Sequence, residues 1–215
     1  NILGIKALPH ISETIAINRD LSILEYTKGK IHFSGISCKE SVNLIREAKK
    51  RGLSVTCDVP IYNFLLDDSK ILDFDTNYKV FPPLRANEDI KELIRGLKDG
   101  TIDAVSSGHT PKNIETKFCE FDNAEFGGIS LEASFGALNK TLGEDFSEEE
   151  VIRLIATNPA KILGFNPKID TNEKANITLF NPKGSTNFGK SDIECLSKNS
   201  PFIGTELKGK VIGVI

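Results

Sequence analysis

Three histidines are the residues of this sequence best suited to metal binding or to proton transfer near neutral pH. His10 follows a proline at the entry of a predicted helix, and we expect it to be a surface residue. His32 lies within a short apolar run, where period-two alternation predicts packing or a local hydrogen bond. His109 stands before Thr110-Pro111, and we expect a structural role for it. Catalysis by His32 and His109 would require groups from outside this chain to converge on them.

Two aspartates and one lysine are the other candidates for chemistry. Asp58 stands at the carboxyl end of a predicted strand, where a pocket-lining role is an alternative to a structural one. Asp103 lies in the KDGTID turn at the start of the next predicted strand, on the opposite face, which predicts a structural role. Lys112 could bind an anion, or it could be an ordinary solvated lysine. The basic run at 49–51 ends a predicted helix, where cations suit the helix dipole, and it indicates no nucleic-acid site.

The composition is typical of a globular chain and argues against several classes of function. The 215 residues are 39% hydrophobic and 27% charged, which is enough for a substantial core. A net charge of −3 argues against nonspecific electrostatic binding to nucleic acid or to an anionic membrane. An apolar run of about 18 residues is missing, so we expect neither a membrane span nor a signal peptide.

The cysteines and the first residue indicate the compartment and the completeness of the chain. The four cysteines have no CxxC or Cys/His spacing, which predicts inert reduced thiols, with Cys57 in the core, in a cytoplasmic protein. The chain begins at Asn1 and contains no methionine, and we interpret that start as a truncated end.

Helical and strand patterns alternate along most of the chain. The predicted helices cover 12–29, 39–52, 88–100 and 130–142, and a further one begins at Ser147 with a capping-box spacing. The first helix is expected to be capped by Ser12 and to bury Ile15, Leu21, Ile23 and Leu24. The predicted strands cover 31–36, 53–59 and 101–107, and this alternation favours βα units around a parallel sheet.

After Gly164 the alternation of helices and strands ends, and the sequence predicts two strands, 175–180 and 207–215, joined by a polar stretch. We therefore predict two domains, 1–163 and 164–215, the second being a small β domain. Three parallel strands are too few for the first, because a (β/α)8 barrel needs eight strands and typically about 250 residues. An open sheet of three strands would also leave bare edges, so the partner strands are expected in a missing N-terminal portion.

Several blocks of the sequence together resemble the C-terminal half of a dihydroorotase, in the amidohydrolase superfamily. They are residues 3–59, the run FDTNYKVFPPLR followed by KDGTID before a strand, the motif Glu125-Phe126-Gly127-Gly128, and the closing NSPFIGTELKGKV. The resemblance implies an α/β fold with strands six to eight of a TIM (β/α)8 barrel and part of a small β-sandwich-like domain. The first five strands, and the HxH motif of the first, would then be absent from this chain.

The chemistry that this resemblance implies depends on zinc. In the family, one or two Zn²⁺ ions activate a water and polarise the substrate carbonyl. An aspartate at the end of the eighth strand moves the proton. The family's sixth-strand histidine ligand falls on Gly35, before Ile36-Ser37, and the eighth-strand aspartate falls on Gly108, before His109. Glycine has no side-chain donor, so we expect no metal ligand at 35, no catalytic carboxylate at 108 and no cofactor held by this chain.

The positions that face substrate in the family are partly replaced. The family's asparagine before Pro-Pro-Leu-Arg is Phe81 here, and the second histidine of its Asp-His-x-Pro-His motif is Lys112. The histidine pair after the seventh strand is replaced by Tyr62-Asn63. Phe126 and Gly127 match the family, and we expect their backbone groups to face a ligand. The substrate-facing positions implied by the resemblance are Phe81, Lys112, Phe126 and Gly127.

The resemblance thus implies a dihydroorotase-like protein of pyrimidine biosynthesis that is catalytically inactive and serves as a scaffold for aspartate carbamoyltransferase. The expected partners are that enzyme, the missing N-terminal barrel half and further copies of the chain, with no nucleic acid and no membrane. One alternative is an active zinc-dependent dihydroorotase whose metal site is completed by the missing half. Another is a ligand sensor that uses the emptied pocket.

Overall fold

The computed structural model describes residues 4–165, 169–171 and 174–215. The helices are α1 (His10–Thr27), α2 (Lys39–Lys50), α3 (Tyr62–Leu65), α4 (Asn87–Lys98), α5 (Ile114–Lys117), α6 (Ser134–Leu142), α7 (Glu148–Ile152) and α8 (Asn158–Ile162). The strands are β1 (Ile31–Phe33), β2 (Val55–Pro60), β3 (Ala104–Ser106), β4 (Thr178–Asn187) and β5 (Glu206–Val214). Within the described residues, no helix is both long enough and apolar enough to cross a membrane.

β1, β2 and β3 form a parallel sheet in that order, as the alternation of helices and strands predicts. Ile31 pairs with Val55, and Asp58 pairs with Ala104, so the three carboxyl ends meet at one edge. β2 lies in the centre, and Cys57 and Val59 are fully buried in it. α2, which follows β1, and α4, which precedes β3, bury apolar stripes at helical spacing, which include Val42, Ile45, Ala48, Leu93 and Leu97.

α1 differs from its prediction at its cap and on its buried face. It begins at His10 after Pro9, and Ser12 donates its hydroxyl to the Pro9 carbonyl at 2.7 Å instead of capping the helix. Its buried residues are Ile17, Leu21 and Leu24, and the predicted Ile15 and Ile23 are exposed. The three buried positions are spaced at i, i+4 and i+7 along one stripe, and 15 and 23 lie off that stripe.

Two further boundaries differ from the predicted ones for local reasons. β1 ends at Phe33 instead of residue 36, because Gly35 adopts a left-handed backbone with φ of 77°. α6 begins at Ser134 instead of 130, since the N–H groups of Ala133 and Ser134 donate to carbonyls three residues back, in turns that precede the helix. The predicted capping box at Ser147 is confirmed, and Asn158-Pro159 begins α8.

β4 and β5 pair antiparallel and pack against α6. The strand predicted over 175–180 corresponds to β4, which begins at Thr178 and continues through the polar stretch to Asn187. A register shift between Asn181 and Ser185 accommodates Pro182, which has no N–H to donate. The Asn139 amide of α6 donates to the carbonyls of Pro182 and Lys208, at 2.8 and 3.0 Å.

The four cysteines are free thiols that differ in exposure, which yields a testable prediction. Cys38 and Cys57 are buried, and burial raises the pKa of these thiols to about 11 and about 12. Because the thiolate is the reactive form, both are expected to resist a disulfide reagent such as DTNB in the native protein. Cys119 is exposed and Cys195 is partly exposed, so the native chain should titrate two thiols and the unfolded chain four. A native titre of four, or one unchanged by Cys119→Ser, would contradict the described packing.

Candidate functional site at the carboxyl edge of the parallel sheet

The carboxyl ends of β1, β2 and β3 bring Gly35, Asp58 and Gly108 to one edge of the sheet. We call this edge, with the loops that cover it, the carboxyl edge. Ligands of parallel α/β folds bind at the carboxyl ends of the strands, so the position is the expected one for chemistry. What the carboxyl edge can do depends on its side chains.

Asp58 is the buried carboxylate of the carboxyl edge, and its oxygens are already bound. Oδ1 accepts from the Ser106 hydroxyl at 2.7 Å and from the Gly35 N–H at 3.2 Å. Oδ2 hydrogen-bonds with His32 Nε2 at 2.9 Å, and His32 Nδ1 hydrogen-bonds with Thr56 Oγ1 at 2.8 Å. The network ties all three strands together, so both Asp58 and His32 have a structural function here.

The hydrogen bond predicted for His32 is confirmed, but its pairing with Asp58 was not predicted. The register supplies the missing signal, because His32 pairs with Thr56 and Asp58 lies two residues further along the same strand. Residues two apart on a strand point to the same face, so the two side chains are diagonal neighbours.

Gly35 presents only backbone to the carboxyl edge. A Cβ added there would lie 3.4 Å from Cδ of Pro82, an ordinary contact, so a side chain would have room. Its φ of 77° nevertheless lies in the left-handed region, which favours glycine. The absence of a donor at 35 is therefore a property of the residue type and of its backbone.

Gly108 is different, because Tyr62 occupies the space that a side chain would need. A Cβ at 108 would lie 2.5 Å from Tyr62 Cε1 and 2.8 Å from Pro60 Cβ, at a φ of 63°. The Tyr62 side chain is 1% exposed and donates its hydroxyl to the Phe81 carbonyl at 2.6 Å. Burial raises the pKa of Tyr62 above its ordinary value, so it stays protonated as this donor. The carboxyl edge at Gly108 is packed, not open.

Two of the predicted substrate-facing residues form an aromatic rim. Phe81 is 65% exposed, and its ring meets that of Phe126 edge-on, with centroids 6.1 Å apart. The Lys79 ammonium lies 4.9 Å from the Phe126 centroid, within cation–π range. These contacts place Phe81 and Phe126 together at the surface.

The other two predicted residues are already bound to neighbours. The Gly127 N–H donates to the Lys79 carbonyl at 2.9 Å, and its own carbonyl accepts from Lys117 at 2.9 Å. Both Gly127 backbone groups are thus bound within the fold, so a ligand there would compete with these partners, and the ligand-facing role of Phe126 and Gly127 stays a prediction. Lys112 forms an ion pair with Glu125 at 2.8 Å, which competes with the predicted anion.

Lys117 is a buried cation that the sequence analysis missed. It is 3% exposed, and its ammonium donates to the carbonyls of Lys79, Glu125 and Gly127 at 3.2, 3.0 and 2.9 Å. Burial, followed by the charge of Lys79, lowers the pKa of Lys117 to about 8. Nothing in the local sequence separates this lysine from the solvated ones, since its partners are carbonyls brought by other loops.

The remaining candidates have the structural roles predicted for them. His109 Nδ1 accepts from the N–H groups of Ser130 and Leu131, at 3.3 and 3.2 Å. Asp103 precedes β3 at the opposite edge, where it accepts from the Cys57 N–H at 2.9 Å and pairs with Lys49 at 2.8 Å. Asp103 therefore lies away from the carboxyl edge, and His109 Nδ1 is occupied by two backbone donors.

Comparison with known proteins shows which curated sequences this chain is similar to. The chain is 37% identical over 211 residues to a dihydroorotase of Desulforapulum autotrophicum, matching 98% of this chain and 50% of that protein. A dihydroorotase of a Thermoanaerobacter species is 38% identical over 212 residues, matching 98% of this chain and 49% of that protein. The chain is a dihydroorotase homologue. It spans about half the length of the curated relatives it matches, and no protein-family model matches it.

Solved structures show the fold of this dihydroorotase homologue. An L-hydantoinase from Arthrobacter aurescens superposes with a TM-score of 0.89 at 24% identity, over 96% of this chain and 48% of the hydantoinase. The inactive dihydroorotase-like domain of a CAD-like multifunctional protein of Chaetomium thermophilum superposes with a TM-score of 0.67 at 22% identity. That match covers 92% of this chain and 52% of the solved chain. The α/β fold is thus that of about half of an amidohydrolase chain.

The residues at the carboxyl edge of the dihydroorotase homologue do not fit the zinc that the family implies. Gly35 and Gly108 offer no side-chain donor, and the oxygens of Asp58 are bound to Ser106, His32 and a backbone N–H. Across the described residues, the one group of three or more His, Cys, Asp or Glu donors within 4.8 Å of one another lies elsewhere. No catalytic step through a metal is therefore derived for the carboxyl edge.

Proposed function

We propose that this chain belongs to a dihydroorotase-like protein of de novo pyrimidine biosynthesis that has lost catalysis and serves as a scaffold for aspartate carbamoyltransferase. The observation that carries the proposal is Gly108, whose missing side chain is replaced in space by the buried Tyr62. If the space of a lost catalytic side chain is open, a neighbouring residue can place a replacement group there. At 108 this is prevented, because the packed and hydrogen-bonded Tyr62 fills the space.

Within this proposal, β1, β2 and β3 are strands six to eight of a TIM barrel whose other strands lie in an N-terminal half. Residues 1–163 form the barrel part and 164–215 part of a small β domain. The protein is cytoplasmic and self-associates. The Chaetomium protein provides a precedent for an inactive domain with this fold. The scaffold role and its partner are inferred by analogy.

The names of the relatives favour one second candidate, an active dihydroorotase. Curated proteins with that name match 98% of this chain, so the similarity includes the segments that form the carboxyl edge. This function requires a zinc site built mainly by the other half of the protein. It predicts a metal that neither Gly35 nor Gly108 touches.

The decisive experiment assays the full-length protein as its host makes it. We expect no turnover of dihydroorotate or carbamoyl aspartate with added Zn²⁺, under conditions in which the Thermoanaerobacter enzyme is active. Loss of the water-activating metal and of the proton shuttle removes the main sources of rate, the shuttle alone being worth about 10² to 10⁴. Stoichiometric zinc together with turnover at ordinary enzyme rates would replace this proposal with the second candidate.

The scaffold role needs its own measurement. We expect the full-length protein and the aspartate carbamoyltransferase of the same organism to co-elute in size-exclusion chromatography with light scattering, at a mass above either alone. Separate elution at concentrations up to tens of micromolar would rule out that partner and leave the inactivity intact. Thermal stabilisation by dihydroorotate without metal would instead support the sensor role.

A further inference from the structure

A second cluster of metal-ligating side chains lies outside the carboxyl edge, between the N-terminal ends of α1 and α2. His10 is the first residue of α1, Cys38 immediately precedes α2, and Glu40 lies in its first turn. One donor atom from each of the three lies within 4.8 Å of the other two. The sequence analysis assigned none of these residues to a site.

The oxygen of Glu40 that faces His10 has no hydrogen-bond partner. Glu40 Oε2 lies 3.1 Å from His10 Nδ1, yet this buried atom makes no hydrogen bond in the structure. A buried carboxylate oxygen without a partner is costly, and a cation bound to it would remove that cost. The Glu40 side chain as a whole is 44% exposed, so an ion from solvent can reach the cluster.

A buried carboxylate also faces the other nitrogen of the His10 ring. Asp89 Oδ2 lies 3.4 Å from His10 Nε2, and the Asp89 side chain is 2% exposed. Its second oxygen is fixed by the Lys39 N–H at 2.9 Å. A metal-ligating histidine commonly presents its second nitrogen to a carboxylate, which sets the ring orientation. Asp89 is placed for that positioning role.

The charges around the cluster favour a cation. Three carboxylates, of Glu13, Glu40 and Asp89, are accompanied by one arginine, Arg85, whose Nη2 lies 3.4 Å from Glu13. Glu13 Oε1 is itself 3.6 Å from the Cys38 sulfur. At the start of α2, the N–H groups of Cys38 and Lys39 donate to the carboxylates of Glu13 and Asp89.

We propose that His10, Cys38 and Glu40 bind one Zn²⁺, with Asp89 orienting the histidine. One nitrogen, one sulfur and one oxygen donor suit this borderline-soft ion, and three protein ligands leave a fourth position for water. Binding replaces the thiol proton of Cys38, which is released to solvent, by a zinc–sulfur bond. The site is independent of the carboxyl edge and of any dihydroorotase activity.

The test is titration of the full-length protein with Zn²⁺ alone, followed by calorimetry and elemental analysis. We expect one tightly bound equivalent. His10→Gln and Glu40→Gln, both at partly exposed positions, should each weaken binding by about 10-fold or more, as loss of even a supporting residue costs about 10 to 100-fold. Cys119→Ser removes an exposed thiol outside the cluster and should leave the affinity unchanged.

Cobalt substitution identifies the sulfur ligand directly. Co²⁺ bound to the chain should show thiolate-to-metal absorption in the near ultraviolet, present in Cys119→Ser and absent in Cys38→Ser. Circular dichroism of each variant separates loss of the site from loss of the fold. Absence of a tight equivalent, or binding that survives His10→Gln and Glu40→Gln unchanged, overturns the proposal.

Discussion

Gly108→Asp is expected to lower the free energy of unfolding by about 3 kcal/mol and to leave the full-length protein without dihydroorotate turnover. An aspartate at 108 would have to adopt a φ of 63° and would place its Cβ 2.5 Å from the Tyr62 ring. The left-handed backbone costs about 1–2 kcal/mol for a residue with a Cβ. Overpacking a filled core site adds about 1–3 kcal/mol.

Gly100→Asp is the matched control for this prediction. Gly100 has a similar φ of 74°, but nothing lies within 4 Å of the position of its missing Cβ. The control therefore carries the backbone strain without the crowding, and we expect it to cost about 1–2 kcal/mol. Urea unfolding followed by circular dichroism measures both variants. If Gly108→Asp proves as stable as Gly100→Asp, the carboxyl edge is not closed by Tyr62.

A double-mutant cycle assigns the crowding to Tyr62. Tyr62→Ala alone creates a cavity at a fully buried aromatic position and should cost about 3–5 kcal/mol. Combined with Gly108→Asp, it also removes the ring that the new side chain meets. The double variant should therefore be destabilised by less than the sum of the two single changes. Additive costs would place the clash elsewhere.

Under the proposed loss of catalysis, the packing around Gly108 would make a return to activity difficult. Gly35 leaves room for a side chain, since its missing Cβ would make only an ordinary contact with Pro82. Gly108 does not, because Tyr62 and Pro60 occupy the space. The two glycines are alike in residue type and in left-handed backbone, but only at 108 does a neighbour fill the position of the side chain. Restoring the carboxylate would require changes at two positions at least.

The parallel sheet could be predicted from sequence because its signals are local. β2 has apolar residues at alternate positions, Val55, Cys57 and Val59, and α2 and α4 repeat apolar residues at helical spacing. Such patterns arise from each element burying one face against the next. The boundaries of β1 and α6 differ from the predicted ones because the left-handed backbone of Gly35 and the turns before Ser134 are not marked by the apolar pattern.

The contacts that decide the candidate site join residues far apart in sequence. Tyr62 fills the place of a side chain at 108, and Asp58 binds His32, which lies 26 residues earlier. The residues next to them in sequence do not indicate these pairings, which can be inferred only when the strand register is known. The substitutions to glycine were visible from the family resemblance, whereas the packing that closes the carboxyl edge required the structure.

Stability should depend on pH through Lys117, whose buried ammonium holds the loop of residues 117–127 against Lys79. The pKa of Lys117 is lowered from 10.5 to about 8 in the folded chain, because burial and the Lys79 charge disfavour the ammonium. Between these values the unfolded chain binds more protons than the folded chain, so the free energy of unfolding rises with pH. Across the whole interval this one group contributes about 3 kcal/mol of that rise.

Lys117→Met isolates the contribution, since other groups change the total. The buried thiols of Cys38 and Cys57 act in the opposite direction above about pH 9, where they ionise only in the unfolded chain. The difference between wild-type and variant unfolding free energies should therefore be measured from pH 7 to pH 10.5. It should move in favour of the wild type by about 3 kcal/mol across that range.

Lys30→Met serves as the control for charge removal, because Lys30 is exposed and water reaches its ammonium in both states. Its difference from the wild type should stay constant with pH. The methionine at 117 also leaves three carbonyls without their shared donor, which lowers stability by a constant amount at every pH. If the difference in unfolding free energy between wild type and Lys117→Met is as independent of pH as that for Lys30→Met, the Lys117 ammonium is not desolvated. Other contacts would then have to hold the loop of residues 117–127 in place.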